Sequence, residues 1–183
     1  MNSFDDEQLM HSVRENDVTK LGILFERHHK AIYNFFYRWF RNGELSEDLV
    51  QEVFCRILKY KHTYTSGQPF MAWCYRIAHN VGNDHYRNGP RELPLADDFD
   101  PASEIDPQQK VHNHLVLQQL ERALNRLDPE KRELVILCRF HNLKYKQIAQ
   151  IFGCSVAAVK VRLHRALKEL SLGYRQNIEE TAS

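Results

Sequence analysis

Residues Tyr145–His164 read YKQIAQIFGCSVAAVKVRLH, two short helical segments hinged on Gly153-Cys154-Ser155. The pattern has helix-turn-helix spacing. Small Ala149 lets the two segments approach closely, and Gly153 tolerates the positive φ of a sharp turn. Ser155 supplies an oxygen that can cap the second segment. Apolar spacing turns Val159, Leu163, Ala166, Leu167 and Leu170 inward. Lys160, Val161, His164, Arg165 and Lys168 are left on the opposite face, with Arg162 rotated toward the DNA backbone. A recognition helix presents such a face to the major groove. From Leu134 to Lys168 there are seven Lys/Arg and no acid. A solvated helical hairpin is the bland alternative; the glycine, the serine cap and the acid-free basic face together favour DNA.

Outward from this motif the chain stays helical. Asp128-Pro129 pairs a capping carboxylate with proline at a first helical position. Before it, Leu117, Leu120, Ala123, Leu124 and Leu127 form one stripe, and after it Leu134, Val135 and Cys138 continue the core. Further upstream, Pro90, Pro94, Pro101 and Pro107 fall within 18 residues. Residues 89–112 carry two basic and six acidic residues, a net of −4. Proline blocks helix continuation, and so few apolar residues cannot pack a core, so this stretch reads as a flexible acidic linker. The chain's net charge of +1 conceals this division: residues 1–88 sum to zero and residues 113–183 to +5.

The first half predicts three helices. The first runs from a cap at Asp17 to about Phe40, with Leu21, Leu24, Phe25, His28, Ile32, Phe35, Phe36 and Trp39 inward. The second is capped by Ser46 and spans about 46–61 with a stripe of Leu49, Val50, Val53, Phe54, Ile57 and Leu58. The third spans about 70–87, lined by Phe70, Trp73, Cys74, Ile77 and Val81. Two polar faces remain. On the second helix Asp48, Gln51, Glu52 and Arg56 lie opposite the stripe, a protein-binding face or a solvated one. On the third, Arg76, Asn80, Asn83 and Arg87 recur every three or four residues. Tyr60, Tyr64, Phe70, Trp73, Tyr75 and Tyr86 lie close by in sequence. Basic and amide groups interleaved with aromatics suit single-stranded nucleic acid, where unpaired bases stack and phosphates are neutralised. Trp73 reads as core rather than as a stacking platform.

Several function classes fall away. No run reaches the ~18 uncharged apolar residues that a membrane-spanning helix needs. The acidic start, Asp5-Asp6-Glu7, is unlike a secretory leader, so a cytoplasmic protein is expected. Cys55, Cys74, Cys138 and Cys154 share no zinc-ligand spacing and read as buried free thiols. The ten histidines offer no ligand set, so neither metal nor cofactor is expected, and no catalytic residue.

The run Ser46–Phe54, SEDLVQEVF, resembles the core-polymerase-binding helix of bacterial sigma factors, and Phe70–Asn80, FMAWCYRIAHN, resembles their −10-reading helix. With the helix-turn-helix beyond an acidic linker, the whole is similar to an extracytoplasmic-function (ECF) sigma factor of the sigma-70 family. The resemblance implies an all-α, two-domain protein. Its parts are sigma region 2 over 1–88, a linker over 89–112, sigma region 4 over 113–175 and a tail over 176–183. It implies that Asp48, Gln51, Glu52 and Arg56 bind core RNA polymerase. It places Tyr64, Arg76, Asn80, Asn83 and Arg87 on the −10 element, with loop Tyr60–Thr65 holding a flipped base and Asn80 at the family's base-contacting asparagine. It places Lys160, Val161, Arg162, His164, Arg165 and Lys168 on the −35 element. Core RNA polymerase, promoter DNA and an anti-sigma factor are the implied partners. Lys146 and Gln147 stand where the family commonly has acids, and Cys55 replaces an aliphatic residue. The rival readings are a dimeric helix-turn-helix regulator acting without polymerase, which leaves residues 46–80 unexplained, and a metal-dependent helical enzyme.

Overall fold

The computed structural model describes residues 5–88 and 107–182, and among them the regular structure is helical. Of the linker expected over 89–112, residues 89–106 lie outside the described residues. The chain divides into two compact units.

The first unit comprises α1 (Asp6–Arg14), α2 (Thr19–Phe40), α3 (Gly43–Tyr60), a 3₁₀ turn at Lys61–Thr63 and α4 (Phe70–Asn88). The sequence reading did not foresee α1. Asp5 and Gln8 close a reciprocal capping box at its start, and Leu9, Met10 and Val13 are buried beneath it. Two expected caps move. Asp17 does not cap α2; its carboxylate accepts from Thr19 Oγ1 at 2.5 Å, and the residue at the cap position is Val18. Asn42, in extended backbone, caps α3 by accepting from Leu45 N at 3.0 Å. Ser46 therefore lies inside the helix, fully buried, and donates its hydroxyl to Asn42 O at 2.6 Å. An acceptor four residues upstream of Ser46 starts the helix earlier than Ser46 could.

The core of this unit is aromatic. Phe35 meets Trp39 and Tyr75 edge-on, each with ring centroids 5.5 Å apart, in the geometry that aromatic quadrupoles favour. Trp39 also lies against the backbone of α4 at Gly82. A Cβ at Gly82 would stand 2.7 Å from Cη2 of Trp39, 2.8 Å from Cε3 and closer still to Cζ3. Glycine here is a packing requirement: it sets how near α4 comes to α2. Two other apolar expectations change. Leu58 is 40% exposed and leaves the stripe of α3. Of the cysteines, Cys74 is buried, Cys138 and Cys154 are half-buried and Cys55 is exposed.

The second unit contains α5 (Pro107–Arg126), α6 (Pro129–Val135), a π-helical turn at Ile136–Phe140, most of α7 (Tyr145–Ile151) and α8 (Val156–Ala182), while Gln150–Gly153 group with the first unit. Asp128 caps α6 through Lys131 N at 3.0 Å, with Pro129 first in the helix, as the sequence predicts. Two boundaries differ. Pro107, compatible with a first helical position, opens α5 inside the stretch read as linker. At the other end α8 runs through the expected tail. Gly173 faces Ala123, and buried Asn177 donates to Gln119 O at 3.0 Å, so α5 holds the last turns of α8. Arg132 is 2% exposed, and its guanidinium donates to the carbonyls of Leu124, Asn125 and Leu127. A buried cation is thereby satisfied by the negative end of α5.

Gly82→Ala should lower stability by about 1–3 kcal/mol, the ordinary cost of overpacking a core. Gly22→Ala, at an exposed position in α2 where a Cβ meets nothing within 4 Å, should raise it by about 0.5–1 kcal/mol. Thermal unfolding of the two variants against the parent should give melting shifts of opposite sign.

Candidate docking and nucleic-acid surfaces

The outer face of α3 follows from its inner one. Leu49, Val50, Val53, Phe54 and Ile57 are buried, which leaves Asp48, Gln51 and Glu52 exposed on the far side. Exposed Cys55 and Leu58 join this face. The sequence reading missed both by assigning them to the interior, since an apolar residue at an apolar spacing carries no signal that it faces out.

Arg56 is turned from this face toward α4. Its Nε lies 2.7 Å from Glu52 Oε1 and its Nη1 2.8 Å from Asp84 Oδ2. The other oxygen of Asp84 lies 2.6 Å from Arg87 Nη2. Hydrogen bonding from Arg56 holds the Asp84 carboxyl below its ordinary range; burial opposes this and Arg87 adds to it. For Arg56 itself burial acts downward, and the bonds to Asp84 and Glu52 outweigh it, so the guanidinium stands above its ordinary value. This ion-pair row borders an open hollow of about 560 Å³ lined by Arg56, Tyr60, Ile77, Asn80, Asn83, Asp84 and Arg87. That volume is in the range of small-molecule sites. Asn83 Nδ2 lies 3.1 Å from the His79 ring, while Asn80 is exposed. Tyr60 is 41% exposed, with Lys59 Nζ 5.4 Å from its ring centroid. Arg76 is exposed one turn before Asn80. The structure thus brings together Asn80, Asn83 and Arg87 of the expected −10 set, and adds Arg56, Tyr60 and Asp84 to their surroundings.

Tyr64 is not among them. The sequence reading offered its ring to a base, and the structure closes that ring off at 1% exposure. It meets Trp73 edge-on at 5.2 Å, and its hydroxyl donates to Gln68 O at 2.7 Å. Burial, reinforced by the charges of Glu7, Asp5 and Asp6, pushes its hydroxyl up to about 12. The loop is held in place by α1 and by Asn16 just beyond it. Arg14 Nη1 donates to Tyr64 O at 3.1 Å, Glu7 Oε1 accepts from Phe70 N at 3.0 Å, and Lys61 Nζ reaches Asn16 Oδ1 at 2.6 Å. Because α1 was not foreseen, neither was the surface that buries Tyr64. Tyr60 and Tyr86 both remain open, and of the two Tyr60 lines the hollow.

The turn between α7 and α8 has the expected chemistry. Gly153 sits at φ +59°, Cys154 N donates to Ala149 O at 3.0 Å, and Ser155 Oγ accepts from Ala158 N at 3.1 Å. Gln147 reaches back to accept from Lys144 N at 2.8 Å, which ties its side chain to the start of α7. On α8, Val159, Leu163, Ala166 and Leu170 are buried and Leu167 half-buried, while Lys160, Val161, Arg162, His164, Arg165 and Lys168 are exposed. Arg162 Nη1 pairs with Glu130 Oε1 at 2.6 Å, and Lys131 Nζ bridges Asp128 and Glu169 at 2.8 Å each. A shallow hollow of about 270 Å³ between α6 and α8 is lined by Asp128, Glu130, Lys131, Leu134, Arg162 and Arg165. Exposed pairs of this kind contribute ~0–1 kcal/mol, so Arg162 is tethered weakly.

Comparison with known proteins gives two family matches, Sigma-70 region 2 over residues 24–92 and Sigma-70, region 4 over residues 117–170. The chain is 32% identical over 163 residues to the ECF RNA polymerase sigma factor SigE of Mycolicibacterium smegmatis, covering 87% of this chain and 63% of that protein's length. It is 32% identical over 152 residues to the RNA polymerase sigma factor CarQ of Myxococcus xanthus, covering 80% of this chain and 84% of CarQ. Its fold is similar to that of the sigma factor RpoE from Bartonella quintana, solved in complex with the anti-sigma factor NepR. That match has a TM-score of 0.69 and 22% identity, and covers 84% of this chain and 96% of RpoE.

Tyr64→Phe removes one hydrogen bond and should cost about 0.5–1.5 kcal/mol of stability. Tyr64→Ala empties a filled aromatic site and should cost about 3–5 kcal/mol. Denaturant unfolding of both variants checks this; a freely exposed ring would give losses near zero.

Proposed function

The chain belongs to the extracytoplasmic-function group of sigma-70 factors, and we propose that its three exposed faces divide the work of directing promoter-specific initiation. The outer face of α3, through Asp48, Gln51 and Glu52, docks on core RNA polymerase. The face of α4 carrying Arg76, Asn80, Asn83 and Arg87 takes the unpaired −10 strand. The outer face of α8 reads the −35 duplex. The chain acts as a specificity subunit in the bacterial cytoplasm and performs no chemistry of its own. RpoE of Bartonella quintana is held by an anti-sigma factor, and a protein of that class is proposed as the regulator of this chain also.

The observation that carries the reading is the contrast between the two nucleic-acid faces. Between α3 and α4, two amides of α4 and the open ring of Tyr60 border a hollow whose charges are paired, which suits bases removed from a duplex. On α8, Lys160, Arg165 and Lys168 are exposed and only Arg162 of the outward cations is held, by a weak exposed pair with Glu130, which suits a major groove flanked by phosphates.

Arg165 and Arg162 distinguish base reading from backbone contact. Arg165 has the fork that grips guanine, and its replacement by alanine should relax preference at one or two −35 positions by about 1–3 kcal/mol. Arg162→Ala should weaken all sequences about equally and reduce the salt slope by about one unit. Holoenzyme binding to a series of −35 variants at several salt concentrations measures both. Uniform weakening by Arg165→Ala, with the base preference intact, would show that this face is assigned wrongly.

A further inference from the structure

We infer that Asp84 is a positioning residue that makes the hollow between α3 and α4 select bases rather than phosphates. The inference rests on the reading of that hollow as part of the −10 site. Asp84 stands between Asn83 and Arg87 in sequence, and each of its carboxylate oxygens engages a different guanidinium. Oδ2 holds Arg56 of α3 at 2.8 Å, and Oδ1 holds Arg87 of its own helix at 2.6 Å. The two arginines differ in freedom. The Arg56 side chain is 26% exposed and is also bound by Glu52, whereas that of Arg87 is 71% exposed. A long exposed cation samples many rotamers, and a charge-assisted bond confines it to one.

The charge count gives this confinement a consequence. Arg56 and Arg87 contribute two positive charges, and Asp84 and Glu52 contribute two negative ones, so the row is neutral. A neutral rim gains little from a phosphate, because backbone affinity comes from unpaired cations that release counterions. Among the residues that line the hollow, those left to attract a strand are Asn80 and Asn83 through their amides and Tyr60 through its open ring. Amides and rings address base edges and base faces. Asp84 thus suppresses a sequence-blind grip and leaves the sequence-sensitive contacts in charge. Nothing in the residue types alone marks it for this role. An aspartate on a DNA-facing helix reads as a repulsive residue until its two partners are seen.

The test uses the full chain bound to core RNA polymerase and fluorescent single-stranded oligonucleotides, one with the cognate −10 sequence and others with each base replaced. Asp84→Asn keeps the shape and removes the charge. It should raise binding to non-cognate strands and steepen the log–log salt slope by roughly 0.7, one added phosphate contact. The cognate preference should fall roughly tenfold, the equivalent of one oriented charge-assisted bond. Asp84→Glu should restore most of the preference. Arg87→Gln should lose preference without gaining non-cognate affinity. A merely structural Asp84 would lower the melting temperature and weaken every oligonucleotide equally, with ratio and slope unchanged, and that result overturns the inference. A parent chain that shows no base preference overturns the reading of the hollow, and the inference with it; the parent series alone identifies that case.

Discussion

The contact between the Trp39 ring and the backbone of α4 at Gly82 is the constraint on which the first unit depends. Trp39 is 2% exposed, and a side chain at residue 82 would occupy the same space as its ring. Close packing leaves no room to absorb such an overlap without moving an element. Moving α4 would move Asn80, Asn83 and Arg87, and would separate Asp84 from Arg56 across the α3–α4 seam. The precision of the outer face is therefore set by a glycine on the inner one. The same logic operates in the second unit, where Gly173 opposite Ala123 lets α8 lie along α5 and Arg132 fastens α5 to α6.

The two nucleic-acid faces use charge in opposite ways. On α8, Lys160, Arg165 and Lys168 are exposed within an acid-free run, and the pairing of Arg162 with Glu130 is a weak, solvent-exposed restraint. Long-range attraction to duplex DNA follows from such a surface. Around the hollow beside α4 the cations Arg56 and Arg87 are paired, and Arg56 links the face proposed to dock on polymerase to the face proposed to take the strand. A change in the environment of Glu52 on docking would reach Asp84 through one guanidinium.

Much of this was legible in the residues. Gly153, Ser155 and the apolar spacing of 159–170 specify the turn and its faces locally, and Asp128-Pro129 specifies a helix start; such signals need no tertiary information. The recurrence of Arg76, Asn80, Asn83 and Arg87 likewise gave the exposed face of α4. What the sequence hid depends on contacts between distant residues. The helix α1 is short, and its purpose appears only where Glu7 and Arg14 meet the loop some 50 to 60 residues on. That contact is why Tyr64 is buried and why Tyr60, rather than Tyr64, is the ring that lines the hollow. Asn42 and Ser46 are both competent caps, and the earlier one prevails because the helix forms from the first acceptor available. Leu58 and Cys55 read as interior because helical spacing places residues on a face without saying where that face ends.

The most direct measurement is selection of DNA from a random duplex pool by the chain, with and without core RNA polymerase. The account predicts two unrelated short motifs at a fixed separation, recovered only when core polymerase is present. A single palindromic motif recovered by the chain alone would contradict it.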